Sequence, residues 1–134
     1  MIHLDTCFLV DFLRETARGE IGPAFKFLLE DTGRKAHVSI HVVCELYLGV
    51  ERSSRTEPER GRVREILDQL EIVYADESFA PTFGRLAAYL QKQGEMIGVM
   101  DLLIATAAIC ADAPLVTRNE KHFRRIPGLR ILAY

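Results

Sequence analysis

Five short apolar segments, "IHLDT", "AHVSI", "EIVYA", "APLVTR" and "GLRILAY", recur along the chain with helix-patterned stretches between them. Strands alternating with helices predict an α/β fold in which a central parallel sheet is covered on both faces. The intervening stretches carry the expected periodicity. "CFLVDFLRE" puts Phe8, Leu9, Phe12 and Leu13 on one side of a helix, and Val63, Ile66, Leu67 and Leu70 recur at helical spacing. "GPAFKFLLEDTG" reads as a helix with Pro23 near its start and Gly33 closing it. "PTFGRLAAYLQKQG" stripes Phe83, Leu86, Ala87 and Leu90 along one face and stops at Gly94. The polar run "ERSSRTEPERG" is expected to be a mobile loop or frayed connection.

A chain of 134 residues is long enough to bury a core without staples, and a single domain over residues 1–134 is expected. No uncharged apolar run reaches the length of a membrane span, and the first residues lack the basic start of a signal peptide, so a cytoplasmic location is expected. The three cysteines, Cys7, Cys44 and Cys110, are widely spaced inside apolar runs and read as reduced core residues. A net charge of -2 means that attraction to a nucleic acid must come from a local patch.

Three acids stand out against this background. "MIGVMDLLIATAAICA" contains one charged residue, Asp101; "MIHLDTCFLV" contains only Asp5; "VVCELYLGV" contains only Glu45. An ionised carboxylate taken out of water is costly unless it is paired, hydrogen-bonded or bound to metal. No Lys or Arg lies within five residues of Asp101 on either side. Asp101 alone reads equally as a helix N-cap, and Glu45 alone as a solvated helix residue. Three such acids in separate apolar elements suggest a shared partner, and a divalent cation is one. Ligands of parallel sheets bind beyond the carboxyl ends of the strands, at the switch in strand order. Asp5 ends the first expected strand, and Thr117 and Asn119 end the fourth. If those strands are neighbours, these positions and Asp101 share one edge.

In this order, "HLDTCFLVDFLR", "SIHVVCELYLGV", "GVMDLLIATAA" and "LVTRNEKHF" resemble the PIN-domain ribonucleases, and within them the VapC-type toxins of toxin–antitoxin pairs. The likeness runs the length of the chain. It implies a three-layer α/β/α sandwich, a pocket holding Mg²⁺ or Mn²⁺, an RNA substrate, a VapB-type antitoxin and a toxin homodimer. Asp5, Glu45 and Asp101 match three family acids. Asn119 falls where many relatives have a fourth Asp, with Glu120 as a second candidate for that place. Thr6 matches the hydroxyl residue that follows the first acid. Cys7 stands where Asn or Ser is frequent, Val42 where Thr is frequent, and Met100 where a polar or small residue is frequent.

Phosphodiester hydrolysis needs an activated water, stabilisation of extra negative charge, and help for the leaving oxygen, and divalent ions serve all three needs. Asp5 and Asp101 are the expected metal ligands. Glu45 would position a water or accept its proton, and Asn119 would offer a neutral oxygen. Clustered carboxylates without metal should raise at least one pKa. Thr6, Thr117 and Arg118 are candidate substrate contacts, and "TRNEKHFRR" adds Lys121, His122, Arg124 and Arg125, with Arg14 on the first helix as a further candidate, unless that charge run is only a solvated face. A turn or cap role for Asn119 stays open. So does the rival that this is a PIN-like module binding RNA or protein with little catalysis, because Asn119 replaces an acid. A haloacid-dehalogenase-like phosphatase would need an acid at Cys7, and a receiver domain would need a Lys in "LRILAY"; both fail.

Overall fold

Five strands, β1 (Ile2–Leu4), β2 (Ala36–Ser39), β3 (Glu71–Val73), β4 (Leu115–Val116) and β5 (Ile131–Leu132), form one sheet of order β3-β2-β1-β4-β5. Every pairing is parallel, and His3 in the central strand faces His37 on one side and Leu115 on the other. The structure, a computed structural model, describes residues 1–31 and 33–134; Thr32, inside the second expected helical segment, lies outside the described residues.

Among the described residues seven helices accompany the strands: α1 (Thr6–Ala17), α2 (Pro23–Glu30), α3 (Ile40–Arg52), α4 (Thr56–Leu67), α5 (Phe79–Gln93), α6 (Val99–Cys110) and α7 (Glu120–Phe123). The chain steps outward from β1 to β3, then returns to lay β4 on the other side of β1. With right-handed crossovers that reversal sends helices to opposite faces, which makes the fold an α/β/α sandwich. Ile2, Leu4, Phe8, Val38, Val42, Leu102, Leu115 and Phe123 are at most 1% exposed, so the core surrounds β1 and β4. Leu102, Ile104, Ala105, Ala107 and Ala108 are all buried, and the one hydroxyl among them, Thr106, donates to the Leu102 carbonyl at 2.6 Å. None of the helices is long and apolar enough to cross a membrane, among the described residues.

Local chemistry sets the helix ends. Ser39 accepts from the Val42 N–H at 3.3 Å and caps α3, and Gly94 stops α5 in the left-handed region at φ 67°. The N-terminus of α2 is capped from a distance. Gly22 has no side chain to offer, and Glu15 of α1 accepts from the N–H groups of Ala24 (3.1 Å) and Phe25 (2.8 Å). A Cβ on Gly22 would lie 2.4 Å from that carboxyl group, so the glycine makes room for the cap.

Four expectations need correction. "ERSSRTEPERG" is not a loop: its first residues finish α3 and Thr56 onward is α4. Pro58 sits in the first turn, where its missing N–H costs nothing, and Arg60 pairs with both Glu51 and Glu57. The helix expected to close at Gly33 ends at Glu30, with Asp31 as its cap. Cys44 and Cys110 are exposed and Cys7 is half-buried, because the cysteines fall on the outer sides of their helices or in the polar site. Asp101 is not an N-cap. Gly98 takes that place in extended backbone, leaving Asp101 in the first turn with its carboxylate bonded to no backbone N–H among the described residues.

Candidate active site

β1 and β4 run side by side, and the chain leaves both at the same edge. There the Asp5 N–H donates to the Val116 carbonyl at 3.1 Å, and the Thr117 N–H donates to Leu132 at 3.1 Å. Asp5 is 3% exposed and is the N-cap of α1. Its Oδ1 accepts from the Thr6 N–H at 2.8 Å; its Oδ2 accepts from Thr117 Oγ1 at 2.7 Å and from Cys7 Sγ at 3.2 Å. Three donors therefore orient one buried carboxylate. Thr6 Oγ1 donates in turn to Glu45 Oε1 at 2.6 Å, which ties α3 to the same edge.

Asp101 approaches from α6. Burial pushes its carboxyl pKa up, and the Asp5 charge adds to the shift, while His122 opposes it with Nδ1 3.5 Å from Asp101 Oδ2. Asp5 is also pushed up, first by burial and then by Glu45, against the pull of Thr117, Cys7 and Thr6. The structure thus brings Asp5, Glu45 and Asp101 to one end of the sheet, where the charge of Glu45 acts on Asp5 and that of Asp5 acts on Asp101. Neither Asp5 nor Glu45 has a Lys or Arg partner among the described residues, and Asp101 faces only His122. Among the described residues no three His, Cys, Asp or Glu side chains stand close enough to enclose a metal ion. The carboxylates form an open edge, not a closed cage.

The remaining expected residues divide. Thr117 is fully buried against Asp5. Asn119 is exposed at the N-terminus of α7; its backbone N–H donates to Thr117 Oγ1 at 3.0 Å, but its side chain forms no cap bond. Glu120 is exposed beside it. Arg118 turns away from the acids and pairs with Asp11 at 2.6 and 2.8 Å. Asp11 itself had no place in the sequence reading. It accepts from the Tyr134 hydroxyl at 2.8 Å, and that hydroxyl lies 3.7 Å from Cys7 Sγ. An acid set between the apolar pairs Leu9–Val10 and Phe12–Leu13 of α1 was the available signal for Asp11. Nothing in the sequence marked Tyr134.

The chain matches the PIN domain family over residues 2–129. It is 39% identical over 92 residues to a protein of Rickettsia felis named ribonuclease VapC2, covering 69% of each. It is 35% identical over 133 residues to ribonuclease VapC1 of Methanocaldococcus jannaschii, covering 97% of this chain and 85% of that one. Among solved structures it is similar to a chain of the VapBC2 complex of Rickettsia felis bound to a promoter DNA fragment. The TM-score is 0.89 at 31% identity, over 100% of this chain and 99% of that one.

Proposed function

The chain belongs to the PIN-domain family, among its VapC ribonucleases, and we propose that it hydrolyses RNA internally with a divalent cation held by Asp5 and Asp101. It is the ribonuclease toxin of a toxin–antitoxin pair, and a VapB-type antitoxin is its partner. Action on RNA in the cytoplasm and assembly as a homodimer belong to the same proposal.

One observation supports the metal-dependent reading: three carboxylates lie along the switch-point edge with, among the described residues, no salt-bridge partner but His122 at Asp101. The donor set fits Mg²⁺ or Mn²⁺, since it offers only oxygens, and Mg²⁺ binds through one or two carboxylates while keeping several waters. An open edge suits that ion better than an enclosing cage would. When bound, the cation would polarise the phosphoryl oxygen and make water a nucleophile at neutral pH.

The protein's own contribution is orientation and proton handling. Thr6, Cys7 and Thr117 hold Asp5 at a set angle, and their donors favour its charged form. Glu45, oriented by the donor Thr6 Oγ1, would accept the proton of the water whose oxygen attacks phosphorus. The P–O ester bond then breaks, and the leaving oxygen takes a proton from solvent.

The test is cleavage of structured and single-stranded RNAs by antitoxin-free protein with Mg²⁺, Mn²⁺ or EDTA, beside Asp5→Asn and Asp101→Asn. Cleavage is expected only with metal and both acids. Inert wild-type protein that still binds RNA or antitoxin would instead favour a binding module weakened at Asn119.

A further inference from the structure

The basic run after β4 does not act as one unit. Arg118 is taken up by Asp11, and His122 faces Asp101. Lys121, Arg124 and Arg125 go elsewhere: Lys121 from α7, Arg124 from its C-terminal cap and Arg125 from the turn beyond line an open groove of about 380 Å³ with Gly94 and Glu95. Several other cations are taken up by acids, as Arg60 is by Glu51 and Glu57, Arg62 by Glu59, and Lys35 by Glu71. Among the described residues Lys121, Arg124 and Arg125 have no salt-bridge partner, and Glu95 lines the groove without pairing to any of them. Three cations against one acid make the groove a local positive patch on a chain of net charge -2.

We propose that this groove binds the sugar–phosphate backbone of the RNA next to the cleaved bond, which rests on the ribonuclease reading and assigns its substrate a track across α7. The groove begins one residue from the site, because Lys121 lines it and the next residue, His122, faces Asp101 with Nδ1 3.5 Å from Oδ2. The groove's chemistry suits phosphate. Its lining has no aromatic or large apolar side chain, so it offers neither an aromatic stacking platform nor an apolar seat for a peptide side chain. Lys and Arg pair with phosphate oxygens, so binding there is chiefly electrostatic.

The test is binding of a labelled single-stranded RNA in EDTA, as a function of salt. The proteins are wild type, Lys121→Gln/Arg124→Gln/Arg125→Gln, and the charge-keeping Lys121→Arg/Arg124→Lys/Arg125→Lys. Arg52→Gln/Arg55→Gln/Arg64→Gln serves as a control for lost charge elsewhere. Each phosphate contact contributes about 0.7 to the slope of log affinity against log salt for single strands, so the neutral triple should flatten the slope by about 2. The charge-keeping triple and the control should keep the wild-type slope. An unchanged slope in the neutral triple overturns the proposal, as does wild-type protein that binds no RNA. Loss of antitoxin binding alone, with the RNA slope intact, overturns it in favour of a protein surface. Wild type that shows the slope without metal-dependent cleavage sinks the nuclease reading and leaves the groove standing.

Discussion

Thr117 Oγ1 donates to Asp5 Oδ2 at 2.7 Å, joining the ends of β4 and β1 across 112 positions of sequence. The same hydroxyl accepts from the Asn119 N–H, so one buried side chain fastens the first acid to the turn that leads into α7. Thr117→Val keeps the shape and removes the donor. It should cost about 1–3 kcal/mol in urea unfolding, because a buried carboxylate loses a partner. It should also move the acid limb of the cleavage profile to higher pH, because that bond favours the charged form of Asp5. A limb that stays in place would show that the hydroxyl does not tune Asp5.

Asp5 and Asp101 predict how metal and pH combine. Each carboxyl titrates above its ordinary value, near 3.8, chiefly through burial. An acid raised in this way binds its proton more tightly when folded. Its contribution to stability is therefore lost as pH climbs from 3.8 through the raised value. A cation that binds the ionised pair offsets this loss, by about 3 kcal/mol at a hundredfold excess over its Kd. Thermal unfolding should show a clear upward Tm shift with Mn²⁺ at pH 7 and little at pH 4. The Asp5→Asn/Asp101→Asn protein should show none at either pH.

His3 works in the opposite direction. Burial, then the neighbouring His37, lowers its pKa from 6.5 to about 4, and the two rings stack at 5.9 Å in the middle of the sheet. A base lowered by folding is protonated first in the unfolded chain, so stability is full above pH 6.5 and declines towards pH 4. The decline amounts to about 3 kcal/mol, from 1.36 kcal/mol per unit. His3→Leu should flatten the acid limb of stability measured by urea unfolding between those pH values. A limb as steep as that of wild type would place the sensitivity elsewhere.

Glu15 and Gly22 form a pair that a double-mutant cycle can isolate. Glu15→Ala removes the acceptor for two N–H groups of α2 and should cost about 2 kcal/mol. Gly22→Ala should also destabilise, because its Cβ meets the Glu15 carboxyl group. In the Glu15→Ala background the same change should be nearly neutral, a coupling that additive costs would refute.

Periodicity and the lone acids made much of this molecule legible. Alternating strand and helix patterns led to the parallel sheet, and the strand ends led to the edge where Asp5, Glu45 and Asp101 gather. Asp5 was found because it is an acid where apolar residues dominate, which is a local signal. What stayed hidden depends on distant partners. The polar composition of 51–61 looked unstructured because the Arg60 pairings that hold it as helix are made across a turn and a helix end. The Asp11–Arg118–Tyr134 cluster joins residues more than 100 positions apart, and no window of sequence contains it. Asp101 looked like a cap because an acid before an apolar run usually is one. Gly98 took that role through backbone shape alone.

The strand order also sets a timetable. β1 emerges first from the ribosome, yet one of its two neighbours, β4, begins only at Leu115. Asp5 and Glu45 are therefore synthesised long before Thr117 and α7 exist to complete their surroundings. A nascent or prematurely ended polypeptide carries the acids without the strand that holds them. The buried setting of Asp5 therefore closes only after β4 has followed the first three strands out of the ribosome.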